Sequence, residues 1–185
     1  MMTIVGNSSI FSIEWSLTKK CCDGNQYANF CFWVNNQKLG NFEEEVILSS
    51  TIKYLEIFLD NCSNRTINFL SGLTKEEIFG YIYDGVMHTL PSGENKLHES
   101  IARAEPEKIE DYRYLSQLRK IFHLDDVGGS AFWDKYNVIL FNDLYLKVQR
   151  IIWRNLSDMS LHEFTIPEHY FDDVARMFLY ESNRI

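Results

Sequence analysis

Phe11-Ser12-Ile13-Glu14-Trp15-Ser16-Leu17 alternates large apolar residues with small or polar ones. A period of two places Phe11, Ile13, Trp15 and Leu17 on one face of a half-buried strand. Downstream, Asn29 to Val34 repeats the pattern with Phe30, Phe32 and Val34 on one side. Between them Lys19 to Gln26, with Asp23-Gly24-Asn25 inside it, reads as a turn. Asn35-Asn36 tolerates positive φ and closes a tight hairpin into Lys38 and Leu39. Gly40 ends that ribbon or permits a bulge, and Glu45 to Leu48 reads as another short strand.

The period then changes. Ile52, Leu55, Phe58 and Leu59 recur at helical spacing, with Ser49 or Ser50 expected to cap the helix. Thr74 and Glu77 have the spacing of a capping box before a second helix bearing Ile78, Tyr81 and Ile82. Leu90 to Glu99 reads as a surface loop, and Pro106 to Leu118 as a short helix. Gly128-Gly129 marks a turn.

Asn137 to Phe141 is rich in strand formers, and Asn142-Asp143 is the expected hairpin turn. Leu144 to Arg154 alternates again as the returning strand, and Leu161 to Ile166 adds one more. Thr165, Pro167 and Glu168 open a last helix that buries Phe171, Val174, Ala175 and Phe178. Strands, helices, strands, helix: this segregation predicts an α+β fold, an antiparallel sheet with several helices packed on it. The whole chain, 1–185, reads as a single domain, since neither half alone buries a core.

Composition narrows the function. Of 185 residues, 45% are apolar and 15% aromatic, enough to offset the entropy of ordering the chain. The formal charge of −8 repels phosphate. The most basic stretch, Arg113 to Lys120, comes just after Glu110 and Asp111, so no nucleic-acid surface is expected. No apolar run is long enough to span a membrane, and Met1 to Ser12 lacks the pattern of a secretory signal. A cytoplasmic protein with reduced thiols at Cys21, Cys22, Cys31 and Cys62 is the expectation. Their spacing fits no zinc site.

Signatures of catalysis are absent: no GxSxG, P-loop, HExxH or GxGxxG occurs. The reading is a chain that binds protein, with no catalytic residue, no metal and no cofactor. Two alternatives stay open. One is a metal-dependent enzyme built on His162, His169 and Asp173; the other is a scaffold or homo-oligomer subunit. His123 is expected to be the outer residue of a strand. Carboxylates displayed on loops can meet a basic partner and steer its approach. Glu43, Glu44 and Glu45 follow the hairpin, and Asp125 and Asp126 precede the Gly-Gly turn. With Trp133 as an aromatic anchor, these are the candidate partner-binding residues. Trp33 is a second aromatic candidate.

Four stretches resemble the bacterial immunity protein 42 family. They are Ile4-Val5-Gly6-Asn7, Phe11-Ser12-Ile13-Glu14, Phe30-Cys31-Phe32-Trp33-Val34-Asn35-Asn36 and Lys38-Leu39-Gly40. Arg65, after the first helix, and Gln149-Arg150-Ile151-Ile152-Trp153-Arg154 are similar too. The resemblance is clearest over the first third. It implies an immunity protein of a polymorphic toxin system, whose partner is a cognate toxin domain encoded by a neighbouring gene. It implies inhibition in the cytosol by blocking the toxin's active site. It transfers no catalytic residue; Gly6, Gly40 and Arg65 carry over as structural positions.

Overall fold

The computed structural model describes residues 2–20, 25–66, 70–84 and 119–184. The readings placed on Cys21 and Cys22, on the loop Leu90 to Glu99 and on most of the helix Pro106 to Leu118 lie outside them. The described residues form an antiparallel α+β fold, as expected, with the strands divided between two sheets.

The first sheet takes β1 (Met2–Asn7), β2 (Phe11–Lys20), β3 (Gln26–Val34) and β4 (Gln37–Leu39) in that order, with β5 (Glu45–Ile47) also paired to β3. Register puts Phe11 opposite Val34, Ile13 opposite Phe32 and Trp15 opposite Phe30. All six side chains are buried. Such cross-strand pairs of large apolar groups are the unit that stabilises a sheet. Asn35 and Asn36 take φ of 49° and 60°, the conformation a two-residue hairpin needs. β2 and β3 run further than expected at their joined ends, reaching Lys20 and starting at Gln26. A register shift between Leu17 and Lys19 accompanies this extension.

The second sheet is β6 (Tyr136–Asp143), β7 (Val148–Asn155) and β8 (Leu161–Pro167) in sequence order. Both of its faces are covered. Val138, Leu140, Ile151 and Trp153 join the main core under the first sheet. Ile139, Phe141 and Ile152 join a second core with Leu70, Ile78, Phe79 and Phe122. Burial on both sides explains why these strands carry unbroken apolar runs.

Helix α1 (Leu48–Asp60) buries Leu55, Phe58 and Leu59 as its periodicity predicts. It starts one residue before the expected serines, and neither caps it: Ile47 holds the N-cap position without a side-chain bond. Leu48, fully buried straight after β5, brings the first turn forward. Helix α2 (Lys75–Phe79) opens with the full Thr74–Glu77 capping box and runs into a π-turn at Gly80–Asp84. Two four-residue helices, α3 (Asp125–Gly128) and α4 (Ser130–Trp133), precede β6.

The last helix, α5 (Tyr170–Ser182), starts later than Thr165 to Glu168 implied. Thr165 and Pro167 pair with β7 instead, opposite Arg150 and Val148. His169 in the left-handed region makes the break. Strand β7 also starts late. Asp143 Oδ1 accepts from the backbone N–H groups of Tyr145 and Leu146, both at 3.1 Å, and folds 144–147 into the turn.

The positions carried over from the family resemblance hold the fold. Gly6 has φ of +96°, and a Cβ there would stand 2.6 Å from the Phe11 carbonyl oxygen. Gly40 likewise has positive φ, beside the Phe132 ring. Arg65 is fully buried. Its Nη2 donates to Asp172 at 2.5 Å, and its guanidinium lies 4.4 Å from the centre of the Phe58 ring. Burial pulls its pKa below the ordinary arginine value, while Asp172 opposes that pull. Gln149 completes the group, donating to Asp172 and accepting from the Phe171 N–H at the start of α5.

Candidate functional site: an aromatic and ion-paired cleft

A cleft of about 410 Å³ opens where β5, the first turns of α1 and the α3–α4 corner meet. Glu45 and Ile47 come from β5, Tyr54 from α1, and Asp126 and Trp133 from the corner. The fold thus gathers Glu45, Asp126 and Trp133, three of the six residues singled out in the sequence.

The corner follows from local sequence. Gly129, with φ of +54° and ψ of −135°, breaks α3 from α4. Gly128 admits Phe132, since a Cβ at 128 would stand 2.0 Å from that ring. Phe132 then packs 5.0 Å from Phe32 in the core, and the next residue, Trp133, is turned outward. Trp133 is 51% exposed, Tyr54 44% and Ile47 39%. Exposed aromatics at the mouth of a concave surface are the side chains that anchor protein interfaces.

The carboxylates of the cleft are paired from within. Glu45 meets Lys19 at 2.5 Å, and that hydrogen bond holds its pKa below the ordinary glutamate value. Asp126 takes both ends of Arg119, from Nε at 2.6 Å and Nη2 at 2.5 Å. This bond raises the pKa of Arg119 further. Glu43 is exposed and Glu44 half-buried on the turn just before β5, where Asn41 bonds to both. Among the described residues neither has a salt bridge.

Asp125 lies elsewhere. It is buried, and desolvation raises its pKa to about 7. Beside it His123 is also buried, which corrects its placement as an outer strand residue: its ring stacks 4.7 Å from Tyr83. Desolvation lowers the pKa of His123 to about 3, so the 3.9 Å contact with Asp125 is made by an uncharged imidazole. Trp33 is half-buried and engaged: its indole N–H donates to Glu14 at 2.7 Å. Lys38 and Cys31 share that carboxylate. Burial of Glu14 acts to raise its pKa, but these three hydrogen bonds prevail and leave it lowered. Burial also pushes the Cys31 thiol up, as expected of a packed cysteine.

The proposed metal ligands are separately engaged. His162 contacts Ser160 Oγ at 2.8 Å and stacks on Trp153, while His169 stands exposed near Glu168 and Asp172. Among the described residues no group of three or more His, Cys, Asp or Glu is placed to hold a metal ion. Among them, too, no helix is long and apolar enough to cross a membrane.

The family model of immunity protein 42 matches residues 1–181, nearly the whole chain. The chain belongs to the immunity protein 42 family. No curated protein and no solved structure matches it. Membership makes it an immunity protein of a toxin system. In this immunity protein 42 chain the cleft is an exposed surface of aromatic and ion-paired side chains. Tyr54 and Ile47 are the cleft residues that sequence reading missed. Tyr54 stands out of phase with the Ile52–Leu55–Phe58–Leu59 stripe, which was its one local signal. Also missed were Leu144, Tyr145 and Leu146, exposed at the β6–β7 turn with Tyr145 at 83%.

Proposed function

We propose that this immunity protein binds its cognate toxin domain through the β5–α1–α4 cleft and neutralises it by covering the toxin's active site. One observation carries the reading: Trp133, Tyr54 and Ile47 are exposed around a single cleft whose polar rim is built from the Glu45–Lys19 and Asp126–Arg119 pairs. Desolvated aromatics supply affinity, and oriented ion pairs supply register and select the partner.

A partner with a basic face, such as a nuclease that must attract phosphate, suits the rest of the surface. The chain carries a net charge of −8, and Glu43 and Glu44 stand beside the cleft without salt bridges among the described residues. Such charge raises the association rate of a cationic partner. The encounter takes place in the cytoplasm on this reading, where Cys31 stays a thiol that donates to Glu14.

The test is co-expression with the toxin domain encoded by the neighbouring gene, reading growth rescue and a one-to-one complex. Trp133→Ala with Tyr54→Ala should weaken the complex by roughly 100-fold or more, as hot-spot truncations do. Reversing Glu43, Glu44 and Glu45 together should slow association and flatten its dependence on salt. Rescue with unchanged affinity in the aromatic variant would move the interface away from the cleft. Failure of both rescue and complex formation would remove the pairing with that neighbour.

A further inference from the structure

Helix α5 buries Phe171, Val174, Ala175 and Phe178, and turns its opposite side outward. That side carries Asp173, Arg176, Met177, Tyr180, Glu181 and Arg184 at intervals of three and four residues, one continuous helical face. The turn persists past the helix end, since the Arg184 N–H donates to the Glu181 carbonyl. Met177 is 46% exposed and Tyr180 64%. Along the face the order is negative, positive, apolar, apolar, negative, positive.

That order is its own complement when reversed. In an antiparallel pair of identical helices about a two-fold axis, contacting residue numbers sum to a constant. With the axis between Phe178 and Leu179, Asp173 meets Arg184 of the second copy and Arg176 meets its Glu181. Met177 then meets Tyr180. Every contact is opposite in charge or apolar on apolar, and each occurs twice. Among the described residues Arg176 has no salt bridge within its own chain, and the Glu181–Arg184 contact is an exposed one of 3.9 Å.

The neighbourhood extends the surface. A groove of about 550 Å³ runs between this face and β1, lined by Thr3, Ile4, Val5 and Gly6 on one side and by Arg176, Met177, Tyr180 and Glu181 on the other. β1 is an edge strand, with Met2 and Ile4 exposed. Its sequence, MTIVGN, has none of the charges or prolines that protect a free edge. The groove can receive the Tyr180 ring of a second copy, and the uncharged strand flanks the contact on both sides of the axis.

We infer that this chain forms a symmetric homodimer by antiparallel packing of α5 on α5, with Arg176–Glu181 and Asp173–Arg184 pairs across the two-fold. This face shares no residue with the toxin-binding cleft, so self-association stands independently of that reading.

Sedimentation equilibrium of the full chain, without toxin, tests it. The wild type should dimerise with a dissociation constant on the order of 10 μM or tighter. Arg176→Glu alone and Glu181→Arg alone each create two like-charge contacts, and should each weaken the dimer by roughly tenfold or more. Combining them restores the opposite charges and should return the constant to near the wild-type value. Tyr180→Ala should also weaken association, whereas Trp133→Ala should leave it unchanged. A monomer throughout the micromolar range overturns the proposal. So does a dimer indifferent to both single reversals, or a double variant no tighter than the singles.

Discussion

The Arg65–Asp172 pair gives the sharpest test of how the two sheets and α5 hold together. Arg65 is fully enclosed, 4.4 Å from the centre of the Phe58 ring and 5.6 Å from that of Phe171, and its charge is answered by Asp172 at 2.5 Å. Asp172 also receives Gln149, whose carbonyl in turn accepts from the Phe171 N–H in the first turn of α5. Asp172→Asn keeps the shape and removes the anion, leaving a guanidinium buried without its counter-charge. Removing one partner of such a pair costs about 3–5 kcal/mol. Arg65→Met strands the carboxylate instead and loses the ring contact with Phe58, for a cost of similar size. A chain of this size has a total stability on the order of 5–15 kcal/mol, so either change takes a large share.

With a urea slope of roughly 2 kcal/mol per molar, each single variant should lower the unfolding midpoint by roughly 2 M at pH 7. The double variant, Arg65→Met with Asp172→Asn, buries no unpaired charge. It should therefore recover about 1–3 kcal/mol relative to the sum of the two singles. Arg65→Lys should not preserve the stability, because an ammonium lacks the planar face that guanidinium offers to the aromatic rings. Single variants costing less than about 1 kcal/mol, or costs that simply add, would refute the view that the pair acts as one buried unit.

Three further outcomes follow from the geometry. Gly6→Ala must hold a side chain at φ of +96° and 2.6 Å from the Phe11 carbonyl oxygen, so its melting temperature should fall by roughly 4–8 °C, equivalent to about 2 kcal/mol. Thr74→Ala removes the cap that accepts from the Glu77 N–H and should cost about 1 kcal/mol by denaturant titration; adding Glu77→Ala should cost little more, since the box is reciprocal. The pH profile should depend on Asp125 and His123 together. The pKa of Asp125 is about 7 when folded, above its unfolded value, so its contribution is present at low pH and lost as pH rises from about 4 to 7. The pKa of His123 is about 3 when folded, below its unfolded value, so its contribution is present above pH 6.5 and lost as pH falls towards 3. Between roughly pH 4 and 6.5 the two slopes oppose and nearly cancel. Asp125→Asn should expose the histidine slope alone, up to about 1.4 kcal/mol per pH unit in that window, read as melting temperature against pH. A profile as flat as the wild type would contradict the burial of both groups.

How much of this was legible in the sequence varies with how local its cause is. The β3–β4 hairpin with its Asn35-Asn36 turn and the Thr74 box each depend on residues within a few positions of one another, and each emerged as read. The start of β7 did not. Leu144 and Leu146 continue the apolar alternation of the strand, so periodicity extends it backwards. The Asp143 side chain outweighs that pattern by capturing two backbone N–H groups. Nor did the sequence show that the strands separate into two sheets. Ile139, Phe141 and Ile152 face a second core that exists only once Leu70 and Phe122 have been brought to it.

Asp125 and Asp126 mark the same limit at the candidate site. They are chemically identical neighbours before one turn, and nothing local distinguishes them. One step of about 100° around the helix separates their fates. Asp125 faces Tyr83 and His123 in the interior and is pushed towards its neutral form. Asp126 faces Arg119 and stays with its counter-charge at the cleft. The same holds for Trp133 beside Phe132, one outward and one in the core. Composition and turn signals therefore located the acidic and aromatic segments that meet at the cleft. The choice of residue within each segment belongs to the long-range packing of β5, α1 and the α3–α4 corner. Because Glu45 and Asp126 arrive already paired, on the proposed reading a toxin cation at the cleft must compete with Lys19 and Arg119. Affinity should accordingly track Trp133 and Tyr54 more than the number of carboxylates.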